Sequence, residues 1–334
     1  MSLEIVPLTE NDRPILEQVI ALDEHNPYLH YPVPSREKRK RIFASEIWDQ
    51  YTRGGLFLRA ALWNGTPVGL AGFQRLPWDS DRFGKKMGRF WPVSLAPLDG
   101  AVSYRVAEKL LGTVLVEVRR EGMQHLACRV FGDNFAVIHA LEKNGFLLMD
   151  TLVTYIYQPS KMILSEFRRR HQVRLYSDGD FDPVLEIARN ADFRSRFARD
   201  PWLSQEKVRT MHEAWAANCC RKIVADDVLV AEVAGKVRGF LGYRKHRILL
   251  EQTGLELWGS GLGAVSERSP GAYVSLLHAA VTRQFSDKEQ SVLPYVPDLM
   301  DFETQLSNRS ILKVWQAFGF RMVRFAYNYH NGNL

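Results

Sequence analysis

In the segment NFAVIHALEKNGF, residues 134–146, apolar side chains stand at Val137, Ile138 and Leu141, three, four and seven positions after the leading Asn. In NRSILKVWQAFGF, residues 308–320, Ile311, Leu312 and Trp315 repeat the same steps. Polar residues fill the gaps, so each segment predicts a helix with one buried face. Gly145 and Gly319 supply the left-handed residue that ends such a helix, and the Phe that follows opens the next element. Each copy predicts a helix that stops sharply before a strand.

Other stretches keep nearly the same register. LFLRAAL runs into Asn64-Gly65-Thr66-Pro67-Val68-Gly69 and VLVAEV into Ala234-Gly235-Lys236-Val237-Arg238-Gly239, an offset of 239 − 69 = 170. Both read as hairpins turned at the glycine. Pro14 and Leu16 match Pro183 and Leu185 at an offset of 183 − 14 = 169, and the two Asn-headed helices lie 308 − 134 = 174 apart. Three ordered matches with so small a drift indicate a duplicated unit. A chain of 334 residues also exceeds what one core usually serves. We therefore expect a first domain over residues 1–158, a linker over 159–172 and a second domain over 173–334. Arg168, Arg169 and Arg170 in the linker, and the run REKRKR at 36–41, which Glu37 interrupts, read as solvated charge and not as a nucleic-acid surface.

Composition narrows the class without choosing a function. With 46% hydrophobic and 25% charged residues the sequence is that of an ordinary globular protein. No apolar run reaches the roughly 18 residues of a membrane span, and MSLEIVPLTENDRP lacks the basic start and apolar run of a secretory signal, so the expected compartment is the cytoplasm. Cys219 and Cys220 are adjacent and Cys128 is distant, which forms neither a disulfide framework nor a C-x-x-C pair; they read as free thiols. The nine histidines contain no H-E-x-x-H or H-x-x-x-H pair, so no metal is expected. The formal charge of +6 suits an anionic ligand such as a nucleotide but equally serves solubility.

The order of elements in each half is strand and helix, glycine-turned hairpin, strand leading into a loop and long helix, then strand, Asn-headed helix and Gly-Phe. In that order the chain resembles the GNAT superfamily of acyl-CoA N-acyltransferases, once per half. The resemblance implies an α/β (α+β) fold of two GNAT-like domains in tandem, each a central mixed twisted sheet flanked by helices. It implies acetyl-CoA as cosubstrate and a small-molecule primary amine as acceptor, with neither nucleic acid nor membrane as partner. The family's CoA diphosphate loop reads Gln or Arg, two residues, Gly, one residue, Gly or Ala, and is similar to Arg268-Ser269-Pro270-Gly271-Ala272-Tyr273. Backbone N–H groups at a helix N-terminus bind phosphate, and glycine allows close approach. Two residues depart from the pattern: Pro270 has no N–H, and Tyr273 is bulky where the family is small. The corresponding Ala96-Pro97-Leu98-Asp99-Gly100 lacks the Arg or Gln and the inner glycine, and Asp99 would repel phosphate. The first half is thus expected to keep the fold without binding CoA.

The resemblance also assigns roles. A strand N–H at Ala264 or Val265 would hold the thioester carbonyl. Asn308 would cap its helix and lie near the CoA chain, with Ile311 and Trp315 lining the thiol end. The family's general acid is a Tyr at the position of Trp315, whose indole donates a hydrogen bond but has no proton to release at neutral pH. Tyr273, Tyr327 and Tyr329 are the substitutes in reach of the motif, and Glu303, Glu256, His330 or a water is the base. FARDPWLSQEKVRTMHEAWAANC, with Arg196-Phe197, Asp200-Pro201, Leu203, Trp215 and Asn218, is similar to the acceptor side of dTDP-fucosamine acetyltransferases. So are Pro77-Trp78-Asp79-Ser80-Asp81-Arg82-Phe83-Gly84 and Tyr327-Asn328-Tyr329-His330, which makes a nucleotide-linked amino sugar the leading acceptor class. Val208, Met211 and Trp215 are also spaced as a core face. A CoA- or ligand-binding module without catalysis, built on the same scaffold, is the alternative.

Overall fold

The computed structural model describes residues 2–159, 170–267, 269, 271–282 and 297–334. The predicted linker lies largely outside these residues, as do Arg168, Arg169, Arg268 and Pro270.

The chain forms two units: Met1–Leu152 with Arg199–Trp202 and Arg324–Leu334, and Val153–Ala198 with Leu203–Val323. The first begins with β1 (Leu3–Pro7), α1 (Arg13–Leu22), α2 (Arg36–Thr52), the hairpin β2 (Phe57–Trp63) and β3 (Thr66–Arg75), and a short α3 (Pro77–Phe83). β4 (Met87–Leu95), α4 (Gly100–Arg120), β5 (His125–Phe131), α5 (Phe135–Lys143) and β6 (Leu147–Tyr157) follow. The second repeats the series as β7 (Gln172–Leu175), α6 (Phe181–Asn190), α7 (Gln205–Cys220), β8 (Asp227–Val233), β9 (Lys236–Lys245) and α8 (Arg247–Thr253). It continues with β10 (Leu257–Val265), α9 (Ala272–Thr282), β11 (Leu299–Gln305), α10 (Arg309–Ala317) and β12 (Arg321–Asn331). Both hairpins are present, turning at Asn64-Gly65 and Ala234-Gly235.

The two Asn-headed helices end alike. Phe146 N–H donates to Leu141 O and Gly145 N–H to Glu142 O, while Phe320 N–H donates to Trp315 O and Gly319 N–H to Gln316 O. Both are Schellman endings. They require the left-handed residue that Gly145 and Gly319 supply at φ 77° and 82°. A further match, not anticipated from the sequence, is the short helix after each hairpin: α3 and α8 close at Gly84 and Gly254, 254 − 84 = 170 apart.

In the first unit the strand order is β1, β2, β3, β4, β5, β12, and in the second it is β6, β11, β10, β9, β8, β7. β12 lies antiparallel to β5, from Ala326 opposite Phe131 to Asn331 opposite Leu126. The terminal strands thus do not follow a cut between residues 158 and 173. Most of β12 belongs to the first unit, and Val153–Tyr157 of β6 belongs to the second. Alternation along a strand encodes its two faces and leaves its neighbour open, so periodicity does not reveal this exchange.

Each sheet is covered on both faces by helices. In the first unit Val106, Leu110, Val114, Val137 and Leu141 of α4 and α5 bury against Ala61, Ala71, Phe90 and Leu126 of the strands. In the second, α9 and α10 pack Leu276, Leu277 and Trp315 on Leu241, Trp258 and Phe302, while α6 and α7 pack Val184, Ala216 and Cys219 on Val230, Phe240 and Leu262. The three cysteines are buried free thiols, with burial pushing Cys128 up to about 12 and Cys219 up to about 11. Among the described residues, no helix is long and apolar enough to cross a membrane.

Candidate functional site

The same break occurs in both sheets. β4 pairs in parallel with β5 from Met87 opposite His125 only as far as Phe90 opposite Cys128. β10 pairs with β11 from Leu257 opposite Leu299 only as far as Gly259 opposite Asp301. Just beyond, each inner strand carries a register shift against its hairpin neighbour: β4 between Phe90 and Val93, opposite Phe73 and Ala71 of β3, and β10 between Ser260 and Gly263. A bulge adds twist and bends its strand away from a neighbour. Beyond these pairs the outer parts of β10 and β11 carry no ladder to each other among the described residues, and they lead to the starts of α9 and α10.

In the second unit this end of the sheet assembles most of the expected CoA-side residues. Ala264 and Val265 pair with Phe240 and Gly239 of β9 and point to opposite faces, Ala264 toward α6 and α7, Val265 toward α9. The loop then closes on itself: Ser266 N–H donates to Arg238 O, Ser269 N–H to Ser266 O and Ala272 N–H to Ser269 O. Two of the amides expected to hold phosphate are thus engaged in turns. Gly271, at φ 89°, reverses the chain into α9 in a conformation that side chains with a Cβ rarely adopt. Arg268 lies outside the described residues.

Arg170 and His171 of the expected linker come to this loop. His171 Nδ1 lies 3.1 Å from Ser275 Oγ in the first turns of α9. A Cβ added at Gly271 would stand 3.6 Å from His171 Cε1 and 4.0 Å from Arg170 Cδ. The sequence reading set Arg170 aside as solvated linker. Its only local signal was charge, and proximity to Gly271 arises from β7 folding back beside α9.

Tyr273 and Trp315 meet across the helices. Trp315 Nε1–H donates to Tyr273 Oη at 2.7 Å. Trp315 is 2% exposed, packed by Tyr155, Phe302 and Phe320. Burial pushes the Tyr273 phenol well above its ordinary range, and the indole N–H offsets part of that rise. Ile311 packs on the same core, half-buried.

Asn308 departs from its expected role. Its side chain makes no cap bond to α10; Nδ2 donates to Thr304 Oγ1 at 3.1 Å instead. Its counterpart Asn134 does cap, accepting from Val137 N–H at 3.4 Å. Glu303, on the unpaired half of β11, accepts from Thr154 Oγ1 at 3.1 Å. Strand alternation sets it on the face opposite Met300 and Phe302, which belong to the α9 and α10 core. On the α6 side, at the end of β10, Glu186, Asn190, Arg238, Val265 and Glu267 line a cleft of about 520 Å³.

Other sequence candidates lie elsewhere. Tyr327 and Tyr329 are on the part of β12 that belongs to the first unit. Tyr329 donates to Glu142 Oε1 at 2.8 Å, and burial pushes its phenol up. Tyr327 packs edge-on against Phe325 and Tyr329. Neither joins the residues gathered in the second unit, because the strand that carries them closes the other sheet. Glu256 sits at the paired end of β10, its N–H donating to Asp298 Oδ2 at 3.0 Å.

His330, also in the first unit, has a buried role. Its Nδ1 lies 2.5 Å and His125 Nε2 lies 2.7 Å from the same oxygen, Asp200 Oδ2, with all three side chains fully buried. Burial alone would raise the Asp200 carboxyl, but the two imidazoles outweigh it and hold it below the usual carboxylate range. Two nitrogens and an oxygen within 4.8 Å of one another are a donor set that a metal could use. Contacts of 2.5 and 2.7 Å on one oxygen are instead hydrogen bonds, closer than the roughly 3 Å between ligand atoms spread around an ion some 2.0–2.1 Å away. They fasten residues 199–202 and β12 onto β5. Asp200 belongs to the stretch that resembles an acceptor-side segment, and here it is a core residue.

No protein-family model and no curated protein matches the sequence. Solved structures do match. A GCN5-related N-acetyltransferase from Sphaerobacter thermophilus aligns over 98% of this chain and 95% of its own at 13% identity, with a TM-score of 0.57. A tandem GNAT protein from the clavulanic acid biosynthesis pathway aligns over 99% and 98% at 14% identity, with a TM-score of 0.54. The fold is a tandem GNAT fold. A functionally unknown conserved protein from Staphylococcus epidermidis shares it over 79% of this chain and 91% of its own, at 12% identity and a TM-score of 0.53. At these identities the likeness establishes architecture, and chemistry has to be argued from the site itself.

Proposed function

We propose that the second unit is a CoA-dependent N-acyltransferase that moves an acetyl group from acetyl-CoA to a primary amine of a small molecule. The carrying observation is the end of the β10–β11 ladder after Gly259 and Asp301, together with the Tyr273–Trp315 bond between α9 and α10, the helices that follow the two strands. In this reading the diphosphate lies beside Gly271, with Arg170 supplying positive charge and His171 a ring nitrogen where Pro270 withholds an N–H. An N–H of Ala264 or Val265 holds the thioester carbonyl.

Glu303, directly or through a water, takes the proton from the ammonium, and the free amine attacks the carbonyl carbon. The C–S bond breaks, the thiolate takes the Tyr273 hydroxyl proton, and the nitrogen releases its second proton to solvent. Because Trp315 donates to Tyr273 Oη, the phenol hydrogen cannot point at Trp315 and is free for another acceptor. Of the three tyrosines that the sequence offers, Tyr273, Tyr327 and Tyr329, this reading takes Tyr273.

For the acceptor, the cleft beside Val265 offers Glu186 and Glu267 to an ammonium and Arg238 to a phosphate. Together with the resemblance at Pro77–Gly84 and Arg196–Asn218, this supports a nucleotide-linked amino sugar. A second reading, a CoA-binding module without turnover, is favoured by the indole at 315, which has no proton to give the thiolate. Calorimetric titration with acetyl-CoA, followed by thiol release across amines and amino-sugar nucleotides, decides the matter. One binding site with release supports transfer, binding without release on any acceptor supports the module, and absence of binding heat overturns both.

A further inference from the structure

The first unit has its own cleft at the equivalent place, about 400 Å³ between the end of β4, the start of α4 and the start of α5. That volume holds a small organic ligand. Its chemistry is opposite to that of a phosphate site. Among the residues that line it there is no Lys or Arg; the charged ones are Glu24 and Asp133. Both helix N-termini that face it are closed by the chain's own side chains. Asp99 accepts from Ala101 N–H at 3.3 Å at the head of α4, and Asn134 accepts from Val137 N–H at the head of α5. One N–H of each helix start is thus taken by the chain itself, and the Asp99 carboxylate sets negative charge at the head of α4, where an anion would otherwise bind.

The walls are aromatic. Tyr104 and His139 stand edge to face at 6.4 Å between centroids, His139 lies 6.2 Å from Phe135, and Phe135 is 62% exposed although it is a large apolar side chain. Exposed carboxylates at the rim complete the picture: Asp133, 78% exposed, contacts His25 Nδ1 at 3.2 Å, and Glu24, 58% exposed, accepts from Arg36 at 2.8 Å through one oxygen. Carboxylates combined with aromatic rings, and no Lys or Arg in the lining, suit a cation carried on an apolar body, which would compete with His25 for Asp133 and with Arg36 for Glu24.

We propose that this cleft binds a small organic ammonium ion with an aromatic or aliphatic body, and that it does not take CoA. The inference is independent of acyl transfer in the second unit and its readout is binding alone. The probe is 2-phenylethylammonium titrated into the full-length chain, with 2-phenylethanol as the uncharged control. The expected result is saturable binding of the amine, at least about tenfold tighter than the alcohol. It weakens about threefold or more in Asp133→Asn and again on adding Glu24→Gln, as loss of exposed charge pairs implies. Both substituted side chains are exposed, and an unchanged thermal melt verifies folding. Ser103→Arg, which sets a fixed cation in the cleft, abolishes binding. Equal affinity for the alcohol, indifference to these substitutions, displacement of the amine by CoA, or no binding at all would each overturn the proposal. None of these outcomes bears on whether acetyl-CoA titrates into the second unit, so the two readings fail separately.

Discussion

Trp315 Nε1 and Tyr273 Oη are joined by a 2.7 Å hydrogen bond in which the indole donates, so the phenol keeps its own hydrogen for a further partner. Removing the hydroxyl while keeping the ring, Tyr273→Phe, is expected to lower kcat about a hundredfold, the low end for loss of a general acid. Affinity for acetyl-CoA changes less than about threefold. Since burial raises the phenol, the acid stays protonated through neutral pH, and the alkaline fall in rate begins above the ordinary tyrosine value of about 10. A steady-state thiol-release assay over pH reads both; a variant that loses CoA binding along with rate would make Tyr273 structural.

Gly271 separates backbone strain from charge. Gly271→Ala retains the room around the position but sets a Cβ at φ 89°, at a cost of about 1–2 kcal/mol in stability, measurable by urea unfolding. Gly271→Glu adds a negative charge at the proposed diphosphate site and is expected to weaken acetyl-CoA at least tenfold more than Ala does. Equal affinities in the two variants would remove the diphosphate from this loop.

Arg170 is expected to act through charge. Arg170→Gln should weaken acetyl-CoA about three- to tenfold and flatten the dependence of affinity on salt, since one screened ion contact is lost. Isothermal titration at two ionic strengths measures this; an unchanged salt slope would return Arg170 to the solvent.

Asp200 holds two imidazoles on one carboxylate oxygen in a fully buried setting. Asp200→Asn replaces the carboxylate that both buried ring nitrogens share by a neutral amide and is expected to cost about 2–3 kcal/mol. The Asp200 carboxyl is depressed on folding, so its contribution is present above the unfolded value of about 3.9 and is lost as pH falls below it. Urea midpoints from pH 7 down to 3 should therefore fall steeply at the acid end in the natural chain, and less so in the variant.

His212 gives a pH response of its own. It is buried, stacked on Phe193 at 4.2 Å, and burial lowers its pKa to about 4. The unfolded ring, near 6.5, takes up a proton that the folded one refuses, so stability declines as pH falls from about 6.5 to 4, by on the order of 3 kcal/mol. His212→Phe keeps the stack and should remove that slope. A slope unchanged in the variant would assign it to another group.

Much of the fold was legible from local pattern. The steps of three, four and seven behind Asn134 and Asn308, the glycines that end those helices, and the two glycine-turned hairpins follow from backbone geometry and burial of one face, which act over a few residues. The resemblance to the GNAT superfamily, carried by those elements, is what grouped Gly271, Tyr273, Ile311 and Trp315.

Relations between distant segments were decided only in three dimensions. Which sheet β12 joins, and hence that Tyr327 and Tyr329 leave the second unit, depends on edge pairing that alternation along a strand does not encode. The bond from Trp315 to Tyr273, the diversion of Asn308 to Thr304, and the approach of Arg170 to Gly271 likewise join residues whose local sequences carry no trace of each other. Periodicity records which face of an element is buried; what meets that face is set by the packing of the whole chain.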